Sequence, residues 1–143
     1  MTVIFSKKCE LALQAILYLS TMNPKITVSA LEIAAKLKAP KEFISKILQN
    51  LTKFGIVASK KGKSGGFSIS KTPESIHLID IVKAVDGLDA FNCCVLGFPG
   101  CSVSKPCPLH SEWGILRENT VSMLTNSTLA SILEKTKEKM ASL

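Results

Sequence analysis

Residues 29–70 read SALEIAAKLKAPKEFISKILQNLTKFGIVASKKGKSGGFSIS, and the first half of this stretch predicts two short helices. Ser29 is a typical helix N-cap, with a glutamate three residues later, and apolar residues then recur at helical spacing as far as Leu37. Pro40 suits the first turn of a second helix, whose apolar stripe runs from Phe43 to Leu51. Two short helices joined by a tight turn are typical of a helix-turn-helix motif.

The second half of the stretch predicts a β-hairpin. Residues 56–59 and 67–70 read as two short strands, and the residues between them form a turn rich in lysine and glycine. A phosphate-binding loop is the alternative interpretation, but the Walker spacing is absent and no helix directly follows Gly66. A hairpin with lysines at its tip, placed directly after a helix-turn-helix, indicates a winged helix-turn-helix domain.

Helical periodicity continues on both sides of this motif. It predicts a first helix over residues 9–22, a helix between Pro73 and Gly87, a long amphipathic helix from Pro108 to about Leu124, and a last helix over residues 129–140. The predicted fold is mostly α with a small β-hairpin wing. Its divisions are a winged helix-turn-helix domain (1–87), a cysteine-rich loop (88–107) and C-terminal dimerisation helices (108–143).

The long amphipathic helix needs something to cover its apolar side. A second copy of the chain would do so, and a twofold homodimer matches a palindromic operator. The alternative is that this helix folds back on its own core.

The charge of the chain is concentrated on the predicted motif. The net charge is +7, and half of the 18 basic residues lie within residues 36–71, where Glu42 is the only acid. The alternatives are a solvated basic face and a surface that binds a polyanion such as double-stranded DNA. The side chains predicted to contact DNA lie on the second helix and the wing: Lys41, Phe43, Ser45, Lys46, Gln49, Lys60, Lys61 and Lys63.

The apolar content and the N-terminal residues predict the class of protein and its cellular compartment. Apolar residues make up 46% of the 143 residues, which is enough for a packed core. A run of about 20 apolar residues is absent, so no transmembrane helix and no membrane partner are expected. The first ten residues lack the regions of a signal peptide, which predicts a cytoplasmic protein. There, clustered cysteines bind metals or react with oxidants more often than they form structural disulfides.

Three cysteines and a histidine, Cys94, Cys101, Cys107 and His110, crowd a segment punctuated by glycine and proline. Such a segment bends easily, and thiolates favour iron–sulfur, zinc or copper(I) centres. Zinc loops usually pair their cysteines at shorter spacings, but three thiols and one imidazole can form a closed zinc site. The chain shows neither a nucleotide fingerprint nor a Ser–His–Asp arrangement, so we expect no enzyme.

Two further residues with ligand chemistry have simpler interpretations. Cys9 is predicted to be a partly buried small side chain, although a thiol is also a soft ligand. His77 lies in an apolar segment and is predicted to be a surface or helix-start histidine.

Several segments, taken in order, resemble the Rrf-two family of winged-helix transcription regulators. They are ELAL at 10–13, LTKFGIV at 51–57, KGKSGGF at 61–67, IDIVKAVDG at 79–87, and the three spaced cysteines followed by LHSEW at 109–113. The resemblance covers nearly the whole chain. It implies a dimeric DNA-binding regulator whose operator affinity depends on an iron–sulfur cluster, with a regulator that senses through zinc or thiol oxidation as the alternative.

The same resemblance implies a ligand set. In cluster-binding members, three loop cysteines hold iron, and they match Cys94, Cys101 and Cys107. The fourth ligand is either a histidine, which matches His110, or a carboxylate from the partner's first helix, which matches Glu10. Both remain open. Six residues separate the first two cysteines where five are usual, so Cys93 could replace Cys94. A 2Fe-2S cluster is preferred, and a 4Fe-4S cluster is the other option.

Overall fold

A computed structural model describes residues 4–143, so the first three residues of the predicted domain 1–87 lie outside the described part. The winged motif comprises α1 (Lys7–Ser20), α2 (Ala30–Leu37), α3 (Lys41–Lys53) and an antiparallel hairpin of β1 (Val57–Lys60) and β2 (Gly66–Ile69). It is followed by a 3-10 turn (Pro73–Ser75), α4 (Leu78–Val85), a second 3-10 turn (Asp89–Asn92), α5 (His110–Asn126) and α6 (Leu129–Ala141). The predicted mostly helical winged helix-turn-helix fold is confirmed.

Helix starts follow the capping side chains. The Ser29 hydroxyl accepts the Glu32 N–H at 3.1 Å, which confirms the predicted cap of α2. The Ser6 hydroxyl accepts the Cys9 N–H at 3.0 Å in the same way. Because Ser6 caps α1, this helix begins at Lys7, two residues before the predicted start.

The tight turn between α2 and α3 depends on a left-handed residue. Lys38 has φ of 55°, its N–H donates to Ala35 O at 3.3 Å, and the next N–H donates to Ala34 O at 3.0 Å. This is the bonding pattern of a Schellman motif, in which glycine is the usual residue. Pro40 follows with ψ of 136° and is the N-cap of α3. The prediction that Pro40 lies in the first helical turn was therefore wrong, because the chain needs an extended residue to leave this turn.

The wing is held close to the segment between α1 and α2. Phe67 and Val28 exchange two backbone hydrogen bonds of 2.8 Å, so a third extended segment lies beside the hairpin. A Cβ at Gly65 would lie 2.2 Å from the Lys60 carbonyl oxygen, and one at Gly66 would lie 2.5 Å from the Val28 oxygen. The two glycines are therefore required by close backbone approach.

The main core lies under the helix-turn-helix motif. Fully buried side chains from α1, α2, α3 and α4 meet there, the largest being Ile16, Ile33, Ile44, Ile47, Leu48, Leu51 and Ile81. The last helix joins this core through Leu129 and Met140 and packs against α1. A second, smaller cluster of Cys9, Val82, Phe91 and Leu124 links α1 and α4 to α5. No helix within residues 4–143 is long and apolar enough to cross a bilayer.

Two local features define the helices after the wing. The His77 Nδ1 lies 2.8 Å from the Thr125 carbonyl oxygen, which ties the N-cap of α4 to the last turn of α5. This position agrees with the prediction of a helix-start histidine. The start of α5 is His110 rather than Pro108, because the His110 N–H closes a turn onto Cys107 O at 3.1 Å before the helix begins.

Candidate metal centre and nucleic-acid interface

The cysteine loop connects the second 3-10 turn to the start of α5. Gly97 and Gly100 have φ of 79° and 73°, and the Gly97 N–H donates to Cys94 O at 3.0 Å. Ser102 and Lys105 exchange two backbone hydrogen bonds of 3.2 and 3.1 Å. These turns fold the loop back on itself, so Cys94 and Cys107 come together.

Three thiols converge in this loop. The sulfur atoms of Cys94, Cys101 and Cys107 all lie within 4.8 Å of one another. The Cys94 and Cys107 sulfurs are 3.6 Å apart, and the Cys101 sulfur is 3.3 Å from His110 Nδ1. All four side chains are half-buried. Three soft ligands with an imidazole at their edge are a donor set for iron–sulfur or zinc.

Cys93 lies outside this group. Its side chain is exposed, and its thiol donates to the Asp89 carbonyl oxygen at 3.2 Å. The Trp113 indole N–H donates to the Cys93 carbonyl oxygen at 2.9 Å. The sequence interpretation did not identify this anchor. Its signal was the lone tryptophan shortly after the cysteines, since an indole N–H near a core usually finds an acceptor.

The two candidates for the fourth ligand have different surroundings. His110 is the first residue of α5 and contacts the thiol group. Glu10 lies in the first turn of α1, where its side chain is 14% exposed and its carboxylate is 3.7 Å from the Lys7 ammonium. Within the described residues of one chain, neither His110 nor Glu10 belongs to the set of ligand atoms that all lie within 4.8 Å of one another.

The thiols differ in their affinity for protons. Burial raises the pKa of Cys94, but hydrogen bonds from the backbone of Phe98 and Leu96 and from the other two thiols outweigh it and lower the pKa to about 7. Burial and the two neighbouring thiols raise the pKa of Cys107. Metal binding requires thiolates, so the lowered pKa of Cys94 favours metal binding at this sulfur and the raised pKa of Cys107 opposes it.

Cys9 is part of the hydrophobic core and not of the thiol group. It is 0% exposed in the second core cluster. Burial first, then the charge and hydrogen bond of Asp86, raise its pKa to about 12. The interpretation of Cys9 as a buried small side chain agrees with this placement, although burial is complete rather than partial.

The predicted DNA contacts occupy two adjoining elements. On α3, Lys41, Lys46 and Gln49 are exposed, whereas Ser45 is half-buried and Phe43 is half-buried against the main core. On the wing, Lys60, Lys61 and Lys63 are all exposed. The structure therefore presents six of the eight predicted side chains to solvent.

Helix α5 has two different faces. Leu124 is buried and Val121 packs beside it in the second core cluster, so this side folds back on its own chain. Ile115, Leu116 and Met123 are 61%, 60% and 54% exposed. The exposed apolar residues form a face that the single chain leaves uncovered.

Comparisons with known proteins identify relatives along most of the chain. A protein of Aquifex aeolicus described as an HTH-type transcriptional regulator is 32% identical over 133 residues, which are 92% of each chain. The HTH-type transcriptional regulator IscR of Yersinia pseudotuberculosis is 34% identical over 92 residues, covering 64% of this chain and 55% of IscR.

Solved structures share the fold. CymR, the global cysteine regulator of B. subtilis, has a TM-score of 0.76 at 18% identity and covers 94% of this chain and 98% of its own. T. potens IscR has a TM-score of 0.73 at 24% identity, with coverage of 94% and 89%.

One family model matches almost the whole chain. It is the model of Rrf2, described as an iron-dependent transcriptional regulator, and it covers residues 5–135. This range includes the winged motif, the cysteine loop and α5. The chain therefore belongs to the Rrf2 family of transcriptional regulators, which is the Rrf-two family that its sequence resembles.

Proposed function

We propose that this protein is a dimeric DNA-binding regulator whose affinity for a palindromic operator is controlled by an iron–sulfur cluster. The observation that carries the proposal is the convergence of the Cys94, Cys101 and Cys107 sulfurs within 4.8 Å, in a loop between the winged motif and α5. The family description, with its reference to iron, supports it. We place the protein in the cytoplasm and assign it no enzymatic activity.

The donor set fits such a cluster. Three thiolates would hold iron, and His110 or the partner's Glu10 would complete the set. When bound, the cluster supplies a redox-labile centre, because replacing one thiolate by imidazole or carboxylate weakens the hold on one iron. A 2Fe-2S cluster is the proposed form, with a 4Fe-4S cluster as the second option.

His110 is the proposed fourth ligand, because its ring nitrogen lies 3.3 Å from the Cys101 sulfur within one chain. Glu10 would act from the partner subunit and remains the alternative. We therefore expect His110→Ala to give an unstable or spectrally shifted cluster and Glu10→Ala to leave the spectrum nearly unchanged. The reverse result would assign the site to the partner's carboxylate.

DNA binding is assigned to α3 and the wing. Lys41, Phe43, Ser45, Lys46 and Gln49 lie in the first nine residues of α3, the second helix of the motif, which enters the major groove in this class of proteins. The wing residues Lys60, Lys61 and Lys63 would contact phosphates and release counterions.

Coupling between the two sites follows from the position of the loop. Cys107 lies three residues before the start of α5, and the loop begins just after the turn that follows α4. A metal at the thiols would fix the start of α5, and α5 would pair with its twofold mate through its exposed apolar face. The spacing of the two recognition helices would then depend on occupancy, and half-site spacing is a strict geometric requirement.

A zinc site is the second candidate. The contact between Cys101 and His110 favours it, because three cysteines and one histidine form a closed tetrahedral zinc site. Such a protein would sense zinc or thiol oxidation without iron.

Purification under anaerobic conditions distinguishes the two. The visible absorption spectrum and the iron, sulfide and zinc content per chain would be measured. We expect absorption in the visible range with iron and sulfide in similar amounts. Zinc without sulfide would support the zinc site. The absence of iron, sulfide and zinc would contradict both metal sites and would leave sensing by thiol oxidation.

A further inference from the structure

We propose that Cys94 and Cys107 are a site of reversible oxidation, at which a peroxide converts the metal-free chain to an intramolecular disulfide while Cys101 and Cys93 stay reduced. This assigns a modification to the cysteine loop in addition to ligand binding. The disulfide itself is independent of the proposed function, whereas its effect on regulation rests on that function.

The distance between the two sulfurs supports this pair. They lie 3.6 Å apart although thirteen positions separate them in sequence. A disulfide needs about 2.0 Å, so the sulfurs have only a short distance to close. The glycines at 97 and 100 give the intervening loop the freedom to allow it. Both side chains are half-buried rather than enclosed, so a small oxidant reaches them.

The other three thiols are less well placed for this bond. The Cys101 sulfur lies within 4.8 Å of both sulfurs of the pair, but its hydrogen-bond contact is with His110 Nδ1 at 3.3 Å. Cys93 is bonded to the Asp89 carbonyl oxygen, and a bond to its neighbour Cys94 would close a small, strained ring. Cys9 is fully buried in the second core cluster. The pairing is therefore selective within a chain that has five cysteines.

Hydrogen peroxide is the oxidant in the proposed reaction. One sulfur of the pair attacks a peroxide oxygen, the O–O bond breaks, and the departing hydroxide takes up the thiol proton as water. The second sulfur attacks the resulting sulfenic acid, the S–O bond breaks, and a second water leaves. The two thiols lose two electrons and two protons, and the peroxide is reduced to two waters.

The disulfide would prevent loading of the metal site. Two of the three thiols would be joined to each other, and a disulfide sulfur is not a thiolate ligand. A chain oxidised in this way would stay empty until a dithiol reductant reopened it. The same loop would then report both the supply of metal and exposure of the empty protein to peroxide.

The test uses the full chain after chelation, reduction and removal of the reductant. Hydrogen peroxide is added, free thiols are alkylated, and the chain is cleaved by chymotrypsin, which can cut after Leu96 between the first cysteines and the others. Fragmentation by mass spectrometry then identifies the linked cysteines. We expect a loss of two of the five titratable thiols, one bond between Cys94 and Cys107, and reversal by dithiothreitol.

Matched variants make the pairing falsifiable. Cys101→Ser and Cys93→Ser should form the same disulfide, and Cys107→Ser should not form it. A bond that contains Cys101 or Cys93, a bond between two chains, or five thiols remaining after peroxide treatment would overturn the inference.

Metal loading separates this inference from the proposed function. The reduced and the oxidised chain are each incubated with iron and sulfide, and the bound iron is measured. We expect the reduced chain to bind iron and the oxidised chain not to bind it. Treatment of the oxidised chain with dithiothreitol should restore its iron binding. If the disulfide forms but the reduced chain binds no iron, the proposed function fails and the disulfide remains. If the oxidised chain loads as well as the reduced one, the regulatory effect of the disulfide is wrong.

Discussion

Cys93 and Cys94 are neighbours in sequence, yet their sulfur atoms have different surroundings. Cys93 has an extended backbone, with φ of −87° and ψ of 152°. Successive side chains of an extended segment point to opposite sides. One thiol therefore bonds to Asp89 and the other joins Cys101 and Cys107. The sequence identified both as candidates but could not choose, because the choice depends on the backbone conformation at one residue.

This difference predicts different effects for the same substitution at the two positions. Cys94→Ser should remove a ligand and abolish stable cluster binding, whereas Cys93→Ser should retain it. Iron and sulfide per chain after anaerobic purification measure the effect. Cys93→Ser is the matched control, and loss of the cluster in this variant alone would show that Cys93 is the ligand.

The buried Cys9 thiol predicts a dependence of stability on pH. Its pKa is raised from 9.0 to about 12 in the folded chain, so above pH 9 the unfolded state releases a proton that the folded state keeps. The contribution is complete below pH 9.0 and is lost as the pH rises toward about 12. The free energy of unfolding should fall in this range, at most by about 1.4 kcal/mol per pH unit from this group.

Urea unfolding of the metal-free protein measures this effect, with Cys9→Ala as the comparison. At neutral pH the variant should be less stable by on the order of 1 kcal/mol, because it leaves a small cavity. This difference should narrow above pH 9, since the variant has no thiol to ionise. A constant difference across the range would assign the pH dependence to other groups.

At the scale of elements, the winged motif follows closely from local sequence. Helix α2 has the predicted bounds of residues 30–37 because Ser29 caps its start and a Schellman motif ends it. The turn was less predictable. Lys38 adopts a left-handed conformation that sequence patterns assign to glycine, and this shifts Pro40 out of the helix.

The wing predicts a specific change in the salt dependence of DNA binding. Lys61 lies in the turn between β1 and β2 and is exposed, so Lys61→Ala should weaken binding to all DNA sequences. The slope of log affinity against log salt should decrease by about 1, because one phosphate contact is lost. Fluorescence anisotropy at several salt concentrations measures both.

Lys135→Ala is the control for this experiment. Lys135 lies on α6, which packs against α1, and it is not among the residues assigned to the DNA interface. Its substitution removes the same charge from the chain. Equal effects of the two substitutions would indicate a general effect of net charge and would exclude the wing from the interface.

At the scale of the whole molecule, α5 was the element that sequence described least well. Its periodicity predicted a single apolar side, but the chain divides its apolar residues between two faces. Leu124 and Val121 pack inward, whereas Ile115, Leu116 and Met123 remain exposed. Periodicity shows which residues share a face, but it does not show which face the same chain covers. The fold-back alternative therefore holds for one side of the helix, and the exposed side is the one assigned to the proposed dimer.

The exposed apolar face of α5 predicts that a charge placed on it prevents the proposed dimerisation. Leu116→Lys should place an unpaired charge between the two copies of α5. An uncompensated charge in a buried interface is strongly unfavourable. Sedimentation velocity should show a dimer for the native protein and a monomer for the variant. Glu118→Lys, which places a lysine on the opposite side of α5, should remain a dimer. A native protein that is monomeric at micromolar concentration would contradict the proposed assembly.

The affinity of one DNA duplex for the protein with and without its cluster tests the central claim most directly. The duplex would be selected from random sequences with the anaerobic cluster-loaded protein. The affinities of the metal-free protein and of the Cys107→Ala variant for this duplex would be compared with that of the cluster-loaded protein, at one salt concentration. A ligand acts as a switch only through different affinities for two states, so the dissociation constants should differ by roughly fivefold or more. Cys107→Ala should match the metal-free protein while its helical content and dimer stay unchanged. Equal affinity of the loaded and metal-free proteins would contradict control of DNA binding by the cluster.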